Sequence, residues 1–309
     1  MRIFVAITDR DWFTHIAQRV ASGLLDANFW RPSGNPYSAE PGELFLFHLR
    51  EKHEIAGGGF FARSARLPIH FAWDVFGGGN GVDSEAKLRA KIQSKKTDPA
   101  AVTSLTEIAC NVLSEVFILP AERRFPVLHI PNSPYKTYVA EAGDGRRLWH
   151  QISEALQSSQ DLAPNPGPAS QALFEPAFGP PRLVLPRLGQ TGFRAVVLDA
   201  YARRCAITGE RTLPVLEAAH IRRYSSSGDH SLTNGVLLRS DLHRLFDRGY
   251  LGIHPQDRSV HVSHRIREEF ENGRDYYALQ GRAIRLPSAI SDHPSKEQLS
   301  FHWLNIFQR

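Results

Sequence analysis

A proline-rich stretch near the middle of the chain limits which residues can share one hydrophobic core. Seven of the twenty prolines of this 309-residue sequence lie between Pro164 and Pro186, where no sustained hydrophobic periodicity is present. Proline removes a backbone donor and interrupts helices and sheet ladders, so such a stretch is typical of a linker. We therefore expect a folded domain over 1–160, a linker over 161–187 and a second domain over 188–309.

The N-terminal part has the pattern of an α+β domain. Helical spacing is present in SEAKLRAKIQSKK, and apolar runs of strand length occur at MRIFVAI, ELFLFHLR, EIAGGGFFARS, NVLSEVFIL and FPVLHI. Its two glycine clusters match no phosphate-binding loop, so tight turns or close backbone approach explain them. We predict a mixed, barrel-like β domain with interspersed helices.

The second half has the order helix, strand, loop, strand and helix. The segment TGFRAVVLDAYARR places Phe193 and Val197 on one apolar helical face. The segments LPVLEAAHI and VLL have the character of strands on either side of the polar loop SSSGDHSLTNG. Ser240 is expected to cap the following helix DLHRLFDR, and Gly249 is expected to end it. The predicted fold class of the whole chain is α+β.

Positive charge is concentrated in the C-terminal half. The whole chain carries a formal net charge of +5, and residues 182–267 alone contain fourteen arginines, no lysine and seven acids. The arginine guanidinium is a planar fork of donors that suits phosphate oxygens. This excess favours a nucleic-acid backbone as partner, with a solubilising surface as the alternative.

Composition excludes several classes of protein. No run approaches the roughly eighteen apolar residues of a membrane-spanning helix, and MRIFVAITDRDWF lacks the layout of a secretory signal. The two cysteines, Cys110 and Cys205, have no CxxC partner, so we expect neither a disulfide framework nor structural zinc. The sequence predicts a cytoplasmic protein without a membrane partner.

Three polar residues occupy notable positions in the C-terminal unit. His220 ends the first strand, Asn234 precedes the second, and His243 lies in the first turn of the helix. Taken singly, each has an ordinary explanation: a packed histidine, a turn former before Gly235, and a residue on a helix surface. Their order and their separations of fourteen and nine residues are the informative feature.

This arrangement resembles that of the HNH nucleases, whose ββα-metal unit folds two strands and a helix around one divalent cation. The segments CAITG, AAHI, NGVLL and LHRLFDRG carry the resemblance. It implies that His220 is the base that activates water, that Asn234 orients the His220 ring through a hydrogen bond, and that His243 binds the metal. The implied cofactor is Mg²⁺ or Mn²⁺. Three arginines are the expected contacts to the DNA backbone: Arg222, Arg223 and Arg244.

One position departs from the HNH pattern. Many HNH enzymes have a metal-binding aspartate immediately before the base histidine, where this sequence has Ala219. His243 would then be the sole protein ligand, with water and phosphate oxygens completing the shell of a hard cation. Asp247, four residues after His243, is expected to be a structural carboxylate. Glu217 is expected to lie on the strand face opposite to His220.

The N-terminal sequence is similar to the reader domains of bacterial HNH restriction proteins, which belong to the PUA-like superfamily together with the EVE and SRA folds. The segments ANFWRPSG, ELFLFHLR, GGGFF and FAWDVFGGGNG carry this likeness. It implies a modified base that is flipped from the duplex into an aromatic pocket. The expected pocket residues are Trp30, Trp73, Phe71 and Asp74.

The two resemblances together predict a modification-dependent restriction endonuclease. Its partner would be double-stranded DNA carrying 5-methylcytosine or 5-hydroxymethylcytosine, and a homodimer would cut both strands. Two alternatives stay open. An HNH nuclease without modification dependence would cut plain and modified DNA equally. A catalytically decayed DNA-binding or RNA-binding protein, suggested by Ala219, would retain nucleic acid without hydrolysing it.

Overall fold

The chain forms two units, each with its own core. The computed structural model describes residues 1–127, 133–160, 189–223 and 231–309. Contacts divide the chain into Met1–Leu188 and Gly189–Arg309. The segment predicted to be a linker, 161–187, lies outside the described residues.

A mixed sheet forms the centre of the first unit. The strands are β1 (Arg2–Thr8), β2 (Ala27–Asn28), β3 (Leu44–Leu49), β4 (Glu54–Pro68), β5 (Glu107–Ile118), β6 (Phe125–Pro126) and β7 (Tyr135–Val139). Their main order in the sheet is β2-β5-β4-β3-β1-β7, with β6 paired to β4. Strand β1 runs parallel to β3, and the other pairs are antiparallel. Among the described residues the sheet is open, with β2 and β7 at its ends, so the predicted barrel is not present as a closed structure.

Helices cover both faces of this sheet because its strands alternate between two cores. Phe4 and Phe47 face the first core, into which α1 (Arg10–Ala21) inserts Trp12. Val5 faces the second core, which α4 (Gly143–Gln160) covers with Leu148 and Ile152. The connection from β4 to β5 carries two further helices, α2 (Ile69–Phe76) and α3 (Glu85–Gln93). The first unit is therefore a helix–sheet–helix layer structure.

Close backbone approach explains the first glycine cluster, as the sequence indicates. A Cβ on Gly57 would lie 2.5 Å from the Phe117 carbonyl oxygen, and a Cβ on Gly58 would lie 2.5 Å from the Phe45 carbonyl oxygen. Register shifts interrupt the pairing of β4 with β5 in this region. Glycine lets the bulged strand fit between its neighbours.

The second unit contains the predicted order of helix, strand, strand and helix. Helix α5 (Gln190–Ala200) precedes β8 (Leu216–His220), which pairs antiparallel with β9 (Gly235–Arg239), and α6 (Ser240–Asp247) follows directly. The rest of the unit consists of a second ribbon and three helices: β10 (Leu251–Ile253), β11 (Val260–Val262), α7 (Arg265–Phe270), α8 (Arg274–Tyr277) and α9 (Lys296–Asn305).

The ends of α6 differ slightly from the sequence-based expectation. Ser240 is the first helical residue, and Arg239 occupies the N-cap position without a side-chain cap. Gly249 lies just beyond the helix end with φ +78°, where a Cβ would meet the Ile306 carbonyl oxygen at 2.0 Å. The predicted glycine stop is therefore confirmed, and the predicted serine cap is wrong by one position. In the part of the chain that is described, no helix combines the length and the apolar character that crossing a membrane requires.

Candidate functional site

The β8–β9 ribbon places His220 at its open end. His220 is the last residue of β8 and lies opposite Gly235, the first residue of β9. A Cβ on Gly235 would lie 2.6 Å from Val197 Cγ2 of α5 and 3.0 Å from the Phe193 ring. Glycine at this position therefore lets α5 pack directly against the ribbon at the level of His220.

The His220 ring is held by stacking on an aromatic side chain. Its centroid lies 3.9 Å from that of Phe193, with an interplanar angle of 11°. Phe193 is buried in the core of the second unit, whereas His220 is half-buried. The stack fixes the imidazole plane while one side of the residue stays accessible. The apolar face predicted for α5 thus supports the His220 ring.

Asn234 fixes the chain immediately after His220. Its side-chain oxygen accepts a hydrogen bond from the Arg222 N–H at 2.9 Å, and its side-chain N–H donates to the Arg222 carbonyl at 3.0 Å. The Asn234 carbonyl also accepts from the Ile221 N–H at 2.9 Å. Asn234 is fully buried. These bonds position the backbone that follows His220; the predicted bond from Asn234 to the His220 ring stays a prediction.

His243 lies between two carboxylates. Its Nδ1 is 2.7 Å from Glu217 Oε2, and its Nε2 is 3.4 Å from Asp247 Oδ2. Glu217 comes from β8, whereas Asp247 lies one helical turn beyond His243 on α6. The exposed fraction of the side chain is 44% for Glu217, 22% for His243 and 40% for Asp247, so solvent reaches all three.

The structure therefore corrects the expectation that Glu217 faces away from the site. Burial along β8 does not alternate strictly: Leu216 and Ala219 are buried, whereas Glu217, Ala218 and His220 are partly exposed. Two-stranded ribbons twist more strongly than larger sheets, which weakens the simple two-residue rule in a short strand. Asp247 likewise faces His243.

One concave pocket of about 530 Å³ brings these side chains together. His220, Glu217, His243 and Asp247 all line it. Two arginines also line it, Arg194 from α5 and Arg223 from the segment after β8. The pocket thus combines imidazoles, carboxylates and guanidinium groups, the residue types needed for proton transfer, cation binding and phosphate binding.

The donor set fits a divalent cation held by few protein ligands. Among the described residues no cluster of three or more His, Cys, Asp or Glu side chains forms a metal site. His243 Nε2 and Asp247 Oδ2 nevertheless lie 3.4 Å apart, close to the separation of about 3 Å between adjacent ligands of an octahedral Mg²⁺ ion. Such a pair would leave most of the coordination shell to water and phosphate oxygens.

Cys205 organises the turn before β8. Its sulfur accepts from the backbone N–H of Thr208 at 3.5 Å and from that of Arg239 at 3.4 Å. The Ala206 N–H donates to the Leu237 carbonyl at 2.7 Å, which ties the same turn to β9. Cys205 is buried with a free thiol, as suits a packing role.

An ion pair defines the start of α6. Arg239 donates to both carboxylate oxygens of Asp241, at 2.7 and 2.8 Å. These hydrogen bonds hold the pKa of Asp241 below its ordinary value. The ionised carboxylate in the first helical turn also suits the positive end of the helix dipole. The pair anchors the helix that carries His243.

The three arginines expected at the DNA backbone differ in their surroundings. The Arg222 guanidinium packs 4.2 Å above the Phe301 ring centroid, and its Nε is buried. Arg223 is exposed, lines the pocket, and donates to the Asp247 carbonyl at 2.7 Å. Arg244 is exposed on α6 outside the pocket lining. Arg223 is therefore the best placed of the three, whereas Arg222 packs against α9.

The first unit contains an aromatic pocket of about 520 Å³. Trp30, one of the residues expected at a base pocket, lines it, and its Nε1–H donates to the Asn80 carbonyl at 2.9 Å. Tyr37 forms another part of the lining, and the Arg31 guanidinium lies 4.7 Å above the Tyr37 ring. The remaining aromatic and charged lining residues are Trp12, Phe29, Asp9, Lys95 and Lys96.

The structure does not bring the other expected pocket residues to Trp30. Phe71 is 2% exposed and belongs to the hydrophobic core, so its assignment to a pocket is wrong. Trp73 is half-buried and Asp74 is exposed, both on α2, and neither lines the pocket with Trp30. The FAWDVF sequence alone does not show which side chains of α2 are buried in the core and which line a pocket.

Comparison with protein families identifies part of the second unit. Residues 205–254 match an HNH endonuclease family. The matched segment contains β8, β9 and α6, and with them His220, Asn234 and His243. The second unit thus contains a segment that is similar to HNH endonucleases. No curated protein matches the chain.

Arg194 was not among the residues predicted for the site. It directly follows Phe193, the residue on which His220 stacks, and it lines the pocket from the same turn of α5. An amphipathic pattern identifies the buried face of a helix but not which polar residues border it beside a partner strand. For the same reason, the sequence pattern does not predict the contact between Glu217 and His243.

The Asn234 bonds predict a local loss of structure on truncation. Asn234→Ala removes both side-chain bonds to Arg222, which should cost about 2 kcal/mol. Backbone amides in 216–223 and 231–239 should then exchange hydrogen faster in mass spectrometry of the full chain. Asn305→Ala is the matched control, since Asn305 is exposed and donates to the Phe301 carbonyl one turn earlier on α9. Equal protection of these two segments in both variants would refute the role of Asn234.

Proposed function

We propose that this protein is a modification-dependent DNA endonuclease that hydrolyses phosphodiester bonds in the cytoplasm with a divalent cation, Mg²⁺ or Mn²⁺. The observation that carries the nuclease part is the shared pocket: His220 and His243 line one cavity within the HNH-matched segment. The reader part rests on the aromatic pocket of the first unit and on the sequence likeness to PUA-like readers.

His220 is proposed as the general base. One ring nitrogen accepts a proton from water as the water oxygen bonds to phosphorus and the bond from phosphorus to the leaving oxygen breaks. The leaving oxygen takes its proton from solvent. Stacking on Phe193 keeps the imidazole in one plane during this transfer, and Asn234 holds the following backbone so that the ring keeps its position.

His243 and Asp247 are the residues that would hold the cation. A bound divalent cation stabilises charge that develops on the phosphate and on the leaving oxygen. Arg194 and Arg223 border the same pocket, and their positive charge would attract a phosphate group. With only two protein donors, the cation should bind weakly until phosphate oxygens contribute to its shell.

The catalytic assignment predicts a loss of nicking activity. His220→Ala should lower the rate of nicking of a supercoiled plasmid by about 100-fold or more, because general base catalysis contributes on that scale. His264→Ala is the matched control, since His264 is an exposed histidine outside the pocket. Thermal unfolding checks that both variants fold, and EDTA should abolish the activity of the wild type. Wild-type rates in the His220→Ala protein would refute the assignment.

The aromatic pocket is proposed as the site of a flipped, modified cytosine. Its volume lies within the usual range for small-molecule pockets, roughly 300–1,000 Å³. Trp30 provides a partly exposed ring for stacking, and the buried rings of Phe29 and Tyr37 form the wall behind it. Arg31, Lys95 and Lys96 place positive charge at the same pocket, which suits the phosphates on either side of an extruded nucleotide.

Trp30 has a firm support, as a stacking wall requires. The acceptor of its indole N–H, Asn80, is fully buried and donates to the carbonyls of Ala72 and Gly77, each at 2.9 Å. A preorganised ring loses little entropy when a base stacks on it. Two chains acting together would supply two nuclease sites for the two DNA strands.

The reader assignment predicts that Trp30 controls discrimination between bases. In a His220→Ala background, which prevents cleavage, Trp30→Ala should lower affinity for a duplex with 5-methylcytosine or 5-hydroxymethylcytosine by about 10-fold, since stacking contributes about 1–3 kcal/mol. Trp73→Ala, a half-buried tryptophan outside the pocket, is the control. Fluorescence anisotropy with plain, methylated, hydroxymethylated and glucosylated duplexes measures the preference. If the His220→Ala protein with Trp30 intact bound all four duplexes with equal affinity, the assignment of a reader pocket would be refuted.

A further inference from the structure

The carboxylate of Glu217 faces one ring nitrogen of His243. Glu217 Oε2 lies 2.7 Å from His243 Nδ1, a hydrogen-bonding distance. An ionised carboxylate has only acceptors, so the imidazole nitrogen that faces it is the donor. A neutral imidazole in this contact carries its proton on Nδ1 and its lone pair on Nε2.

The lone pair on Nε2 then faces a second acceptor. Asp247 Oδ2 lies 3.4 Å from His243 Nε2. A divalent cation bound by both atoms would satisfy this lone pair and this carboxylate oxygen together. Carboxylates that accept from the other ring nitrogen of a metal-binding histidine commonly fix its tautomer and raise its basicity.

The fold also explains why this carboxylate comes from position 217. Ala219 is fully buried beside the core, so a carboxylate there would face apolar side chains at considerable cost. Glu217 lies on the same strand and is 44% exposed at the pocket. Its carboxylate contacts Nδ1 of His243.

We propose that Glu217 is a positioning residue for the cation site: it holds His243 in the Nδ1–H tautomer, so that Nε2 is directed toward the cation shared with Asp247. This inference rests on the proposed metal-dependent nuclease. It assigns to Glu217 a role through His243, in place of the direct metal ligand that is missing at Ala219.

The tautomer can be measured in the absence of metal and DNA. Long-range ¹H–¹⁵N spectra of histidine-labelled full-length protein in EDTA, at a pH of about 8 where histidine is ordinarily neutral, report the protonated nitrogen. Loss of signals in His243→Gln assigns the resonances. The wild type should show a protonated Nδ1 and an unprotonated Nε2, and Glu217→Ala should shift His243 toward the Nε2–H form.

Cation affinity provides the second readout. Calorimetric titration with Mn²⁺ should give an affinity about 10-fold lower for Glu217→Ala than for the wild type. Glu217→Gln, whose amide oxygen can still accept from Nδ1–H, should recover part of the tautomer and of the affinity. Glu268→Gln is the matched control, because Glu268 faces an exposed histidine, His264, on the protein surface.

Two results would overturn the inference. His243 could keep the Nδ1–H form in Glu217→Ala, or Mn²⁺ could perturb Nδ1 rather than Nε2 in the wild type, which would make Glu217 a direct ligand. Neither result depends on cleavage. Failure of the nuclease proposal appears instead as unchanged nicking by His220→Ala. Glu217→Gln keeps the side-chain shape and provides a folded variant if Glu217→Ala is unstable.

Discussion

The antiparallel pairing of β8 with β9 is the constraint on which the candidate site depends. It brings His220 opposite Gly235 and places Asn234 against the chain that leaves His220. Because α6 follows β9 without a connecting loop, the same pairing directs His243 back toward β8, where it meets Glu217. A change of register by one residue would turn the His220 side chain to the opposite face of the ribbon, so the pocket would not form.

Because the site depends on this strand pairing, the residues around the ribbon hold its backbone in place. Gly235 leaves no room for a side chain next to α5, and Cys205 accepts backbone hydrogen bonds that join the preceding turn to the start of α6. Arg239 and Asp241 then fix the helix start. In the described part of the unit, hydrogen bonds and apolar packing thus hold the backbone in place. The accessible polar side chains line the pocket.

Much of the second unit could be predicted from its sequence because local signals agree there. The periodicity of α5, the strand character of β8 and β9, and the glycine after α6 all match the observed elements. Contacts across elements were harder to predict. The meeting of Glu217 with His243 depends on ribbon twist, and the place of Arg194 beside the pocket depends on how α5 packs; neither is encoded in a local pattern.

The first unit was less predictable for the same reason. Strands β1, β3, β4 and β5 and the helix α3 follow from hydrophobic patterning, whereas β2 and β7 do not. An open sheet and a barrel also share the same alternation of residues. The aromatic residues are also ambiguous, since Phe71 and Trp30 both lie in aromatic-rich segments, yet Phe71 is buried in the core and Trp30 lines a pocket. Side-chain destinations of this kind depend on long-range packing.

The central claim is that His243 and Asp247 hold a cation in the pocket that His220 shares. Anomalous diffraction from crystals of His220→Ala with a DNA duplex and Mn²⁺ tests it most directly. We expect one Mn²⁺ peak within bonding distance of His243 Nε2 and Asp247 Oδ2, with a DNA phosphate oxygen in its shell. A peak elsewhere in the second unit, or a bound duplex without Mn²⁺ at this pair, would contradict the account.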